Sequence, residues 1–222
     1  MKTILLLIIP VLFALPAFSQ KAATQPAPQK TALQHFNAGN QKFKSGKYTE
    51  AIKEYSEVLK QEPEHIVTMT NRGIARDRIL DYRGAIADFD KALALDPTHV
   101  EAWVSRGLSK YNLQDYKGAL VDFNTAVSID QLQARTYNNR GLVRYALKDY
   151  RSAIIDYGRA ITLQPDYAEA YYNRGAPRYT SGDKSGACED WVKAEQLGLK
   201  EAAQYLRDYC EQNSTAATKS TK

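Results

Sequence analysis

Apolar residues recur along most of this chain at the spacing that lines one face of an α-helix. The segment AIADFDKALALDP is the clearest case. Ala85, Phe89, Ala92 and Leu93 fall at i, i+4, i+7 and i+8 and form one stripe. The stripe then repeats at 34-residue intervals. Alanine stands at Ala51, Ala85, Ala119, Ala153 and Ala187, and an aromatic at Tyr55, Phe89, Phe123, Tyr157 and Trp191. A small apolar residue stands at Val58, Ala92, Ala126, Ala160 and Ala194, and glycine at Gly39, Gly73, Gly107, Gly141 and Gly175.

A fixed period of this length marks a solenoid of stacked units, none of which buries its apolar face alone. Each unit reads as two helices. Pro63, Pro97 and Pro165 stop the second helices, because proline has no N–H to continue the ladder. Gln131 replaces that proline in the third unit, where the spacing survives. The glycines and alanines are expected to let the paired backbones approach, with tyrosines and Trp103 filling the space around them. Pro177 lies inside a first helix. An interior proline costs about 3 kcal/mol, so this helix is expected to kink or end early.

The pattern resembles the tetratricopeptide repeat over about 167 of the 222 residues. It is most similar to the bacterial variety carrying Asn-Arg-Gly, here Asn71-Arg72-Gly73, Asn139-Arg140-Gly141 and Asn173-Arg174-Gly175. Ser105-Arg106-Gly107 departs by one residue, and Asn37-Ala38-Gly39 lacks the arginine. The resemblance implies an all-α fold, a right-handed superhelical solenoid of five helix-turn-helix repeats over residues 32–198. Residues 199–211 carry one more apolar stripe, Ala202, Ala203, Leu206, Tyr209 and Cys210. We expect a capping helix there rather than a sixth repeat.

By the same resemblance the first helices form a concave wall. The side of each that lies near its glycine reads as an apolar, tyrosine-rich strip with few charges. Candidate partner-binding residues on it are Asn40, Phe43, Ile74, Val104, Leu108, Tyr111, Asn138, Leu142, Tyr145, Tyr172 and Tyr179. Tyrosine joins large contact area to a polar tip, and asparagine bonds a peptide backbone. The alternative is that some of these side chains are packing between neighbouring first helices. Some eukaryotic relatives clamp a C-terminal carboxylate on this wall with lysines and asparagines. Asn40 and Asn71 fit that scheme, but Phe36, Glu101 and Ser105 stand where bases are needed, so that ligand is rejected.

The arginine column Arg72, Arg106, Arg140, Arg174 and the basic column Lys42, Arg76, Lys110, Arg144, Arg178 face an acidic column, Glu54, Asp88, Asp122, Asp156, Asp190. One reading is an anion-binding ribbon that takes a glycan. The favoured one is a ladder of ion pairs between helices, since arginine's fork suits a carboxylate in a partly buried seam. Whether Arg106 meets Asp122 or Asp88 is open from sequence.

Other chemistry is sparse. His35, His65 and His99 share no metal-ligand spacing, so no metal site is expected. Ser45-Gly46-Lys47-Tyr48 lacks the remaining elements of a phosphate loop, and no Gly-x-Ser-x-Gly occurs. No enzyme activity and no cofactor are expected. The start, Lys2 and then an apolar run from Ile4 to Phe18, is too short and too broken by Pro10 and Pro16 for a comfortable membrane span. It reads as a signal peptide over 1–19, with an uncleaved anchor as the alternative. Residues 20–31 read as a flexible linker and 212–222 as a disordered tail.

Removal of Lys2 lowers the formal charge from +5 to +4, and acids and bases are interleaved. No nucleic-acid partner is expected. Cys188 and Cys210 stand nearly level on either side of Gly198. In an exported protein that favours a disulfide, against two buried thiols. The sequence reading is an adaptor, periplasmic or extracellular, that docks a protein or peptide on its inner wall. The alternative is an envelope-assembly component that uses its convex faces, its wall filled by its own linker.

Overall fold

The computed structural model describes residues 30–210. The expected signal segment 1–19, residues 20–29 of the linker, residue 211 and the tail 212–222 lie outside them. First helices are α1 (Ala32–Lys44), α3 (Ile66–Arg78), α5 (Val100–Asn112), α7 (Ala134–Ala146) and α9 (Ala168–Thr180). Second helices are α2 (Tyr48–Gln61), α4 (Tyr82–Leu95), α6 (Tyr116–Ile129), α8 (Tyr150–Leu163) and α10 (Lys184–Gln196). α11 (Ala202–Tyr205) runs into a π-helical turn, Leu206–Cys210. Among the described residues there is no strand.

Local chemistry sets the boundaries. Asp81, Asp115, Asp149 and Asp183 each accept a backbone N–H three residues on, which starts α4, α6, α8 and α10. The turn before each second helix needs one left-handed residue. Gly46 and Gly182 supply it at no steric cost, whereas Leu80, Gln114 and Lys148 adopt φ of 65°, 62° and 64°. α6 stops at Ile129 without a proline, because the Asp130 carboxylate accepts the Leu132 N–H at 2.9 Å and forms the turn itself.

The glycine column has a different job from the expected one. Each glycine makes room for the aromatic ring sixteen residues later on the paired helix, not for bare backbone contact. A Cβ on Gly39 would lie 2.5 Å from the Tyr55 ring, on Gly73 2.5 Å from Phe89, and on Gly141 2.7 Å from Tyr157. At Gly107 it would lie 3.0 Å from Phe123, and at Gly175 it would overlap Trp191. These rings are almost wholly buried, beside the alanine columns. Trp103 packs, as expected, against the cluster that holds Ala85, Phe89, Ala92 and Ala102, and its Nε1 donates to the Pro97 carbonyl at 2.8 Å.

Pro177 does not end its helix early, one of the two outcomes expected of it. α9 spans 13 residues, as do the other first helices. The proline removes one bond near the end of the helix. Its ring is buried, and its carbonyl accepts the Ser181 N–H at 3.0 Å.

The units stack in chain order. α3, α5, α7 and α9 touch one another in succession, whereas second helices pack mainly against flanking first helices. First helices therefore form the inner wall and second helices the outer one. The last face is covered by α11 and its π turn. Ala202, Leu206 and Cys210 pack with Ala187, Trp191 and Ala194. Ala202 continues the 34-residue register of first-helix starts, so this cap stands where a first helix would open. Tyr209 occupies the glycine register and packs against Tyr179 and Trp191. Cys188 and Cys210 are disulfide-bonded, Cα to Cα 5.9 Å, 22 residues apart. Closing a loop of that length stabilises by about 3 kcal/mol in the chain-entropy model. Replacing both cysteines by serine is expected to lower unfolding free energy by about that amount. Amide exchange should accelerate in 199–210 before it does in α5 or α7. Equal protection in both proteins would show that the bond does not hold the cap.

Candidate functional site

The inner wall opens into a groove of about 800 Å³ across α1, α3, α5 and α7. Five of the sequence candidates line it: Asn40, Phe43, Ile74, Val104 and Leu108. Asn40 is already engaged, because its Oδ1 accepts from the Tyr55 hydroxyl at 2.8 Å and from Asn71 Nδ2 at 3.4 Å. Burial pushes the Tyr55 phenol up to about 12, so it stays a donor. Around the apolar floor stand Lys44, Arg78 and Arg135, none in an ion pair with a described residue, together with Asp77 and Glu101. Sequence reasoning missed the three cations because it followed only the strip nearest the glycine. Lys44 and Arg78 recur five residues after their glycines, which was the available signal.

The remaining candidates lie elsewhere. Tyr111 stacks on Tyr116 at 5.4 Å and Tyr145 on Tyr150 at 5.5 Å, each across its own turn. Burial and the neighbouring tyrosine raise the phenol pKa of both. Asn138 is buried, and its Oδ1 accepts from Asn173 at 3.0 Å. Leu142 is half-buried and outside the groove lining. Tyr172 and Tyr179 are held edge-on by Tyr205 and Tyr209 at 5.2 and 4.9 Å. The chain's own cap occupies that end of the wall.

The basic columns are committed to structure. Arg72, Arg106, Arg140 and Arg174 each place Nε and Nη2 on the carboxylate sixteen residues later, Asp88, Asp122, Asp156 and Asp190. Arg106 thus meets Asp122 of its own repeat. A second cation, Arg76, Lys110, Arg144 or Arg178, reaches the same carboxylate within 3.0 Å. The four aspartates are almost wholly buried, so no ribbon of free cations exists along this seam. In the first repeat Glu54 takes His35 at 2.7 Å and Lys30 at 3.5 Å instead. Burial opposes ionisation of Glu54, but the His35 hydrogen bond and the Lys30 charge outweigh it and lower its pKa.

The arginines also reach backwards. Nη1 of Arg72 bonds Ser56 at 3.1 Å, that of Arg106 bonds Asp90 at 2.6 Å, and that of Arg140 bonds Asn124 at 3.1 Å. These acceptors stand sixteen residues earlier, on the preceding repeat. Arginine therefore ties two repeats together. At the last seam the acceptor position is Gly158, and a Cβ there would meet nothing closer than Arg174 Nη1 at 3.7 Å. The asparagine of the motif links first helices: Asn71 reaches Asn40, and Asn173 reaches Asn138. For Asn139 the corresponding positions are Val104 and Leu108. Its Nδ2 is buried with no acceptor among the described residues.

Gly158→Asp supplies the acceptor found at position 90. It should stabilise the protein beyond Gly158→Ala by about 1 kcal/mol, the net of a charged hydrogen bond and a poorer helix propensity. Urea unfolding of the two variants measures it. No excess for aspartate would mean that the backward reach of Arg174 contributes nothing.

The comparisons with known proteins come from profiles and structures. Residues 70–134 match a profile described as tetratricopeptide repeat, and residues 141–182 one described as TPR repeat. No curated protein matches the chain in sequence. The fold is similar to MamA 41-end from Desulfovibrio magneticus RS-1, at 25% identity and TM-score 0.70, covering 76% of this chain and 96% of that one. It is similar to the first TPR of Spaghetti (RPAP3), a structure bound to the HSP90 peptide SRMEEVD, at 30% identity and TM-score 0.52. That match covers 53% of this chain and 94% of that one. A likeness in fold alone joins it to YrrB, a TPR protein described as having an unusual peptide-binding site. The identity is 18% and the TM-score 0.65, covering 80% of this chain and 92% of that one. Both matched segments are similar to the tetratricopeptide repeat, and the described residues have the fold of a tetratricopeptide-repeat solenoid.

Proposed function

We propose that this chain is a binding scaffold that catalyses nothing itself and docks an extended polypeptide segment in the groove over α1, α3, α5 and α7. The observation that carries this reading is the groove's construction. Phe43, Ile74, Val104 and Leu108 offer an apolar floor, and Lys44, Arg78 and Arg135 stand around it without ion-pair partners among the described residues. A segment with apolar side chains flanked by carboxylates fits both. The floor supplies affinity by desolvation, and the cations supply orientation and encounter rate. The peptide-bound structure of the first TPR of Spaghetti supports docking on such a repeat.

The proposed location is the cell envelope or outside it. The cation and apolar run at the start support export, and so does the Cys188–Cys210 bond, since structural disulfides persist in oxidising compartments. The protein and its variants are used to capture partners from envelope extract. Ile74→Asp with Leu108→Asp should abolish capture while the helical circular-dichroism signal stays. If that variant unfolds, Lys44→Glu with Arg78→Glu decides, because both side chains are exposed; capture should fall about tenfold or more. Unchanged capture by the folded charge variant would overturn this reading.

A further inference from the structure

The outer wall carries a second surface that the groove does not explain. On the middle three second helices, one exposed position reads Ala87, Val121 and Ile155. Val121 and Ile155 are 61% and 62% exposed, far more than an aliphatic side chain in a packed face. The same register holds Lys53 on α2 and Glu189 on α10, so the apolar ridge stops at both ends of the solenoid.

Cations border this ridge. Four residues before it stand Arg83, Lys117 and Arg151, all exposed. Lys91 and Arg159 stand four residues after it on α4 and α8, also exposed. Residues four apart share a helix face, so the rows run parallel across three helices. None of these five cations has an ion-pair partner among the described residues. Arg159 has only the Tyr137 ring, 5.9 Å from its guanidinium carbon.

The acids nearby are engaged. Asp90 pairs with Arg106 at 2.6 Å, and Asp81, Asp115 and Asp149 cap their own helices. What remains is an exposed aliphatic ridge between two basic rows.

We propose that this outer face of α4, α6 and α8 rests on an anionic lipid surface. The ridge enters the headgroup boundary and the basic rows meet the phosphates. Interfacial helices combine the same elements, an apolar stripe beside Lys and Arg. An acidic protein partner is the less favoured occupant. The ridge has neither aromatic nor arginine at its centre, where protein interfaces concentrate their binding energy. Contact at the middle repeats also suits a curved outer wall laid on a flat sheet.

The test is sedimentation of the chain beginning at Gln20 with lipid vesicles. This form keeps every described helix and lacks the apolar run that would itself anchor in lipid. Vesicles contain phosphatidylglycerol with phosphatidylethanolamine, or phosphatidylcholine alone. The protein should bind the anionic vesicles, bind the neutral ones at least about tenfold more weakly, and release as salt rises. Arg83→Glu, Lys117→Glu and Arg151→Glu together should weaken binding about a hundredfold. Val121→Asp with Ile155→Asp should weaken it about tenfold with the helical signal intact. Both ridge positions already face water, so folding is expected to survive; the charge variant decides if it does not. Binding that ignores lipid charge, or that survives the charge variant, would overturn the proposal. Soluble polyglutamate captured as tightly as the vesicles, with no effect of the ridge variant, would overturn it in favour of an acidic protein.

Discussion

One steric constraint organises the molecule: an aromatic ring fills the space that a side chain on the facing glycine would need. The ring sits sixteen residues after the glycine, on the antiparallel partner helix. The contact therefore fixes the register and spacing of the helices within each repeat. Alanine beside the ring leaves no slack, since Ala51, Ala85, Ala119, Ala153 and Ala187 have no exposed surface. A repeat so built presents nearly the same two faces each time, which is why the next one stacks in the same way. In the cap Tyr209 occupies the glycine register and itself packs against Tyr179 and Trp191.

The Asn-Arg-Gly motif is then a small kit of connections. Glycine seats the ring within the repeat. Arginine grips a buried aspartate of its own repeat with two nitrogens and reaches the previous repeat with the third. Asparagine ties one first helix to the one before it. Removing one partner of such a buried pair costs about 3–5 kcal/mol, because the other charge stays behind without water. Around the groove the kit is incomplete. Ser105 replaces the asparagine, and Asn139 faces register positions held by Val104 and Leu108. Between α3 and α5 the link is made instead by Ser109, whose hydroxyl donates to Asp77 at 2.7 Å.

Much of the fold was legible because a strict period leaves little freedom. The helix boundaries recur at the same offset, and the cysteines could be paired by counting from Gly198. Function was less legible, since a strip of tyrosines reads the same whether it meets a partner or its neighbour. Tyr111 and Tyr145 turned out to brace turns, and Tyr172 and Tyr179 to hold the cap. The placement of the cap decides the case of Tyr172 and Tyr179, and no single repeat encodes it. Among the cations around the groove, Lys44 and Arg78 share an offset from their glycines that was passed over, whereas Arg135 lies outside the motif columns. Pro177 misled because a propensity argument ignored how little helix remained after it.

The central claim is that the glycine exists for the ring. A double-mutant cycle on Gly73 and Phe89 tests it most directly, with unfolding free energy as the readout. Gly73→Ala alone should cost about 1–3 kcal/mol, because the new methyl group overlaps the Phe89 ring. In a Phe89→Leu background the same change should cost little or stabilise, since the ring is gone and alanine favours the helix. An equal cost in both backgrounds would contradict the account.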